Sequence, residues 1–160
     1  MGRRLHVNIG EWVIGREDDE FIIAGLGSCI ALYLWVPNLR RGGMVHILLP
    51  QPRNHRIERP GRYAVTAVET LWNELRVYVA GDAQRVIAKL VGGALMFPHV
   101  DHPTLVNLGL RTAEVVRTRL QSFNIKIAAE DVGGYEGRYI RALNREGRIY
   151  IRTRSGEKWL

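Results

Sequence analysis

The chain has one cysteine, Cys29, which closes the stretch Gly-Leu-Gly-Ser-Cys between the apolar runs Phe-Ile-Ile-Ala (21–24) and Ile-Ala-Leu-Tyr-Leu-Trp-Val (30–36). A thiol there has two physical readings. It can be a small buried hydrophobe, because unpaired cysteine is among the most buried residue types. It can also be a nucleophile. A glycine-rich turn that aims successive backbone N–H groups outward supplies the electropositive surroundings a thiolate needs. Those N–H groups could also hold the oxyanion of a tetrahedral intermediate. Gly27 and Ser28 are the candidates for that oxyanion or substrate-binding role. A lone cysteine forms no internal disulfide, which fits a reducing compartment.

A cysteine nucleophile needs a base. His46 follows within Gly-Gly-Met-Val-His-Ile-Leu-Leu-Pro (42–50). A histidine inside an apolar strand is costly unless its ring nitrogens have partners. It is either a core histidine bonded to backbone or a general base beside Cys29, brought there by packing of the two strands. His6 and His55 sit among arginines and read as exposed. His99 and His102 flank Asp101 and could join Cys29 and His46 around a metal, but the spacing matches no standard zinc pattern. No metal and no cofactor is expected. Val-Gly-Gly occurs at 91–93 and 132–134 without GxGxxG or P-loop form, so tight turns are the better reading. Glu130 and Asp131 are adjacent on a strand and should point to opposite faces, which argues against their acting as an acid–base pair.

The elements that must position these residues read as mixed strands and helices. Strands are expected around Gly10, over 21–24, over 30–36 and over 44–49, with a turn at Val-Pro-Asn-Leu-Arg-Arg-Gly-Gly (36–43). Ala64, Ala67, Val68, Leu71 and Leu75 recur at helical spacing after Pro60–Gly61. A strand over 85–90 enters the first Val-Gly-Gly, and 99–107 reads as loop. Asn107 is a candidate N-cap for a second helix, whose face is Ala113, Val116, Leu120 and Phe123. A strand follows at 125–132, then a hairpin over 138–153 turning near Asn144–Gly147. The pattern predicts an α/β (α+β) sandwich, with mixed β-sheets packed by two or three helices, as one domain over 1–160.

The formal net charge is +7 and the pI about 10.1, a balance that favours acidic partners. The arginines are spread along the chain, and Trp12, Trp35, Trp72 and Trp159 are scattered. Nucleic-acid binding would need basic and aromatic residues interleaved on one face, so no nucleic-acid partner is expected. No apolar run reaches membrane-spanning length, the N-terminus lacks a signal-type apolar region, and His6 stands where a myristoylation motif requires Ser or Thr.

Gly-Leu-Gly-Ser-Cys, Arg-Gly-Gly-Met-Val-His-Ile-Leu-Leu-Pro, Lys-Leu-Val-Gly-Gly-Ala-Leu-Met-Phe and Glu-Asp-Val-Gly-Gly followed by Gly-Arg occur in this order. Together they resemble the CheD family of chemoreceptor glutamine deamidases, from about Gly10 to Ile151. The resemblance implies a cytoplasmic, monomeric α/β sandwich that converts glutamines on the cytoplasmic helices of chemoreceptors to glutamates. It implies Cys29 as nucleophile and His46 as base, acting through a thioester. A CheC-like phosphatase that presents a receptor-like helix is an implied second partner. Three positions depart from the family pattern. Ile23 replaces a threonine that in the family orients the histidine, so either another group, such as a backbone carbonyl, is the orienter here or the base is poorly held. Val65 and Thr112 stand where aspartate and asparagine are usual. These departures keep open an alternative in which the chain is a catalytically weak or inactive binding module that regulates receptors or the phosphatase.

Overall fold

The computed structural model describes residues 1–54, 56–99 and 107–160. Among the described residues, ten strands form two five-stranded sheets. The first contains β1 (Arg4–His6), β3 (Glu20–Leu26), β8 (Arg138–Leu143), β9 (Arg148–Thr153) and β10 (Gly156–Trp159), in the order β1-β3-β8-β9-β10. The second contains β2 (Trp12–Gly15), β5 (Arg41–Ile47), β4 (Ile30–Val36), β6 (Ile87–Gly92) and β7 (Lys126–Val132), in the order β2-β5-β4-β6-β7. Both sheets are mixed, because β1 runs parallel to β3 and β6 parallel to β7. Two helices, α1 (Ala64–Leu75) and α2 (Leu108–Ser122), pack on the second sheet. The expected α+β sandwich is the observed architecture.

The layers follow from residue pattern. β4 is central and apolar on both sides, as a strand covered on both faces must be. Ile30, Leu32 and Leu34 join Ala67, Leu71, Ala113 and Val116 in the core beneath the helices. Ala31 and Tyr33, on the other face, join Phe21, Ile23, Ile140 and Ile151 in the core between the sheets. The first sheet has a single covered face, so β8 and β9 alternate: Ile140, Ala142, Ile149 and Ile151 are buried and their neighbours are partly or fully exposed. Helix α1 buries Ala64, Ala67, Val68, Leu71, Trp72 and Leu75, the spacing of one helical face.

Three local expectations change. The turn after β4 is confined to Pro37–Leu39 and a left-handed Arg40, and Arg41–Gly43 continue into β5 because ladder partners wait on both sides, in β2 and β4. Asn107 does occupy the residue before α2, but with φ 57° and no side-chain hydrogen bond to the helix, so it caps by position only. The last strand, β10, was hidden in Ser-Gly-Glu-Lys-Trp, which has no period-two apolar pattern; its pairing with β9 supplies the strand instead. The hairpin turn falls at Asn144–Gly147 as expected, and Asn144 is fully buried. Its side chain accepts from Tyr33 Oη at 2.8 Å and donates to the Arg16 carbonyl at 3.0 Å, tying the sheets together.

One glycine bears directly on the Cys29 backbone. Gly92 has φ 119°, and a Cβ added there would sit 2.2 Å from the Cys29 carbonyl oxygen. Gly81 also has positive φ (75°) but faces open space. Gly81→Ala should therefore cost only the left-handed strain, about 1–2 kcal/mol. Gly92→Ala adds a clash with fixed backbone and should cost about 1–3 kcal/mol more. Equal losses in urea unfolding would contradict this assignment.

Candidate active site

Gly-Leu-Gly-Ser-Cys is where the chain leaves one sheet and enters the other. Leu26 ends β3 in the first sheet, and Ile30 begins β4 in the second. The crossing between them is pinned through its carbonyls. Gly27 O accepts from Ala94 N–H at 3.0 Å, and Cys29 O accepts from Gly93 N–H at 2.9 Å. Among the described residues, no backbone carbonyl accepts from the Gly27, Ser28 or Cys29 amides. Ser28 is half-buried and lines a cavity of about 210 Å³ with Gly93, Met96, Leu110, Gly134 and Tyr135.

His46 reaches the same region through strand register. Ala31 of β4 stands opposite His46 of β5, and Ile30 opposite Ile47. Cys29 precedes that ladder by one residue, and alternation puts it with Ala31 on the face toward the first sheet. Cys29 and His46 thus share a face as diagonal cross-strand neighbours, a relation that places such pairs about 7–8 Å apart along the backbone. Both are buried, at 6% and 4% exposure. No hydrogen bond joins the thiol to the imidazole.

The imidazole is instead held from the other side. His46 Nδ1 lies 2.9 Å from the Val7 carbonyl oxygen. A carbonyl only accepts, so Nδ1 carries the proton and Nε2 is left as the unprotonated nitrogen. Val7 is itself fixed, its N–H donating to Ile22 O at 3.0 Å. The His46 backbone is clasped by the same β1–β2 connection: its carbonyl accepts from Gly10 N–H at 2.8 Å and its N–H donates to Glu11 O at 3.1 Å. Burial holds the His46 pKa below the ordinary histidine value, against opposing pulls from the Val7 hydrogen bond and the Glu11 charge. Burial also pushes the Cys29 thiol up to about 11. At neutral pH the resting pair is therefore thiol and neutral imidazole.

Ile23 is buried opposite Ile140 and, with Val7 and His46, lines a surface hollow. It offers no hydrogen bond, and the Val7 carbonyl is the group on His46 Nδ1. Thr112 Oγ1 is spent within α2, donating to Leu108 O at 2.9 Å, and Val65 is half-buried on α1. Glu130 and Asp131 part as alternation requires: Glu130 accepts from Arg117 at 2.7 Å, while Asp131 accepts from Arg138 at 3.1 Å and Lys158 at 2.7 Å. His6 and His99 are exposed; His55, Asp101 and His102 lie outside the described residues. Among the described residues, no group of three or more His, Cys, Asp or Glu side chains could hold a metal ion.

Two features escaped the sequence. One is the Val7 carbonyl, which no side-chain motif announces. The other is the open face of the first sheet, where arginine and aromatic residues do interleave. Arg152 lies over Tyr139, Arg148 over Trp159 and Arg141 over Tyr150, at 4.6, 4.3 and 5.6 Å from the ring centroids. The contacts are cross-strand, and only the register of β8, β9 and β10 creates them. Each guanidinium covers a ring that would otherwise face water.

Comparison with known proteins bears on this arrangement. The sequence model of the family described as CheD chemotactic sensory transduction matches residues 48–153. That match begins just after His46; full-length relatives also span the earlier segment. A protein named probable chemoreceptor glutamine deamidase CheD, from Archaeoglobus fulgidus, is 38% identical over 161 residues, covering 100% of both chains. The chemoreceptor glutamine deamidase CheD of Thermotoga maritima is 34% identical, over 96% of this chain and 94% of its own. A probable one from Symbiobacterium thermophilum is 37% identical, over 94% of this chain and 93% of its own. The glycine-bounded thiol, the histidine on the neighbouring strand and similarity along the whole chain lead to one conclusion: this protein belongs to the CheD family.

Proposed function

We propose that this protein deamidates glutamine side chains on chemoreceptors, with Cys29 as nucleophile and His46 as general base. Full-length relatives carry that activity in their names. The observation that carries the reading is a thiol and an imidazole on the same sheet face, the imidazole held through Nδ1 by Val7, beside amides for which no backbone carbonyl acceptor is found among the described residues.

The reaction starts from neutral partners. Sγ attacks the carboxamide carbon as His46 Nε2 takes the thiol proton. The Sγ–C bond forms, and the carbonyl electrons move onto oxygen. The Ser28 and Cys29 amides, with Gly27 and Ser28 shaping the turn, face that oxyanion and hold it. Collapse breaks the C–N bond, and the imidazolium gives its proton to the departing nitrogen as ammonia. Water then gives a proton to Nε2 and attacks the thioester. The C–S bond breaks, the thiolate recovers the proton, and glutamate remains. Throughout, the Val7 carbonyl holds Nδ1–H, the task that Ile23 cannot perform. The direct thiol–imidazole hydrogen bond forms on substrate binding, as apo active sites commonly require.

The substrate helices lie on the cytoplasmic part of receptors, so the site of action is the cytoplasm. Among the described residues, no helix is long and apolar enough to cross a membrane. The +7 charge favours approach to acidic receptor helices, and to a CheC-like phosphatase that mimics them. The buried, high-pKa thiol with no bond to His46 favours a second reading, a docking module without chemistry.

Ammonia release from a purified receptor cytoplasmic fragment separates these. Wild type should deamidate, Cys29→Ala should not, and His46→Gln should lose about 10²–10⁴-fold in kcat. Receptor binding without ammonia release by wild type would establish the docking module instead. With Val7 already orienting the imidazole, Ile23→Thr should change kcat by less than about threefold; a large gain would show that Val7 does not suffice. The pH profile follows from the shifts. His46 is lowered, so the base stays unprotonated down to below its ordinary value of about 6.5, and kcat/KM should fall only on further acidification. Cys29 is raised, so iodoacetamide alkylation should climb about tenfold per pH unit through pH 9. A plateau near pH 7 would reveal a preformed thiolate and contradict the neutral pair.

A further inference from the structure

The Gly-Arg that follows Glu-Asp-Val-Gly-Gly has no part in the chemistry above, yet Arg138 is buried, at 8% exposure. A buried guanidinium needs both a counter-charge and acceptors for its fork of donors. Arg138 Nε donates to Asp131 Oδ2 at 3.1 Å, Nη1 to the Gly92 carbonyl at 3.2 Å and Nη2 to the Gly133 carbonyl at 2.9 Å. Gly92 O also accepts from Gly133 N–H at 2.9 Å. The side chain thus fastens the end of β6 to the end of β7.

Both places touch the nucleophile crossing. Gly93, next to Gly92, donates to the Cys29 carbonyl, and the Gly92 α-carbon packs against that carbonyl so closely that no Cβ fits. The Arg138 backbone stands opposite Leu26, the last residue of β3 before the crossing. One residue therefore grips both anchors of Gly27–Cys29, one through its strand register and the other through its guanidinium. We propose that Arg138 is a positioning residue that holds the Gly27–Cys29 crossing, and with it the thiol and the adjacent amides, in reactive geometry. Its catalytic consequence rests on Cys29 being the nucleophile. Asp131 serves as its counter-charge and is tethered in turn by Lys158. Lysine cannot replace it fully, because a point charge lacks the fork that spans two carbonyls.

The test compares Arg138→Lys and Arg138→Met with Arg117→Met, which breaks an ion pair between α2 and β7 away from the crossing. kcat and KM for a receptor cytoplasmic fragment, Tm, and the rate of Cys29 alkylation at pH 8 are measured for each. Misplacement of reacting groups by a fraction of an ångström should lower kcat of Arg138→Met by about tenfold to a hundredfold, with KM within about twofold. The alkylation rate should shift with kcat, Arg138→Lys should fall between Met and wild type, and Arg117→Met should move neither rate whatever its Tm. Wild-type kcat and alkylation in a folded Arg138→Met protein would overturn the proposal; if that protein does not fold, the same result in Arg138→Lys would do so. A kcat loss matched by Arg117→Met would also overturn it. An altered alkylation rate in the Arg138 variants, with no ammonia from wild type, would uphold the positioning role and refute the deamidase reading.

Discussion

The hydrogen bond from Gly93 N–H to the Cys29 carbonyl, at 2.9 Å, is the constraint on which the site depends. A chain crossing between two sheets cannot use its own ladder to fix its conformation there. Here the end of β6 supplies the missing partner. The bond is possible only because Gly92 has no side chain and adopts a positive φ. It engages the Cys29 carbonyl, as the Ala94 N–H engages that of Gly27. Among the described residues no backbone carbonyl accepts from the amides of the crossing, and the proposed reaction uses them as donors to the substrate oxygen.

Burial sets the chemistry of the pair. A desolvated thiol and a desolvated imidazole both resist charge, so the ion pair that many cysteine enzymes hold at rest is disfavoured here. In the proposed reaction the proton therefore moves as the carbon–sulfur bond forms. This places the demand on orientation rather than on a depressed thiol pKa, and the orienting groups are mostly backbone: the Val7 carbonyl on Nδ1 and the Gly10 and Glu11 contacts on either side of His46. Backbone groups are costly to displace, which lets an isoleucine at position 23 pack as pure core without loosening the imidazole.

Much of this was legible in the residues. Thiol, histidine and their apolar strands stand out from composition and period alone, because an ionisable side chain in an apolar run breaks a pattern. Glu130 and Asp131 could be set apart by alternation. What stayed hidden depends on partners distant in sequence. Nothing around residue 7 marks its carbonyl as a ligand for a histidine on β5. The arginine–aromatic face exists only once β8, β9 and β10 are in register. Asn107 looked like a helix cap by type, but took left-handed backbone geometry without using its side chain. β10 is a strand by pairing and has little pattern of its own.

The most direct test of the account is to look for the covalent intermediate itself. Wild-type protein mixed with a receptor cytoplasmic fragment, acid-quenched within the first turnover and examined by intact-mass spectrometry, should show a thioester between Cys29 and the receptor that has lost one ammonia. It should disappear in Cys29→Ala. Ammonia release by Cys29→Ala at the wild-type rate would contradict nucleophilic catalysis through this thiol.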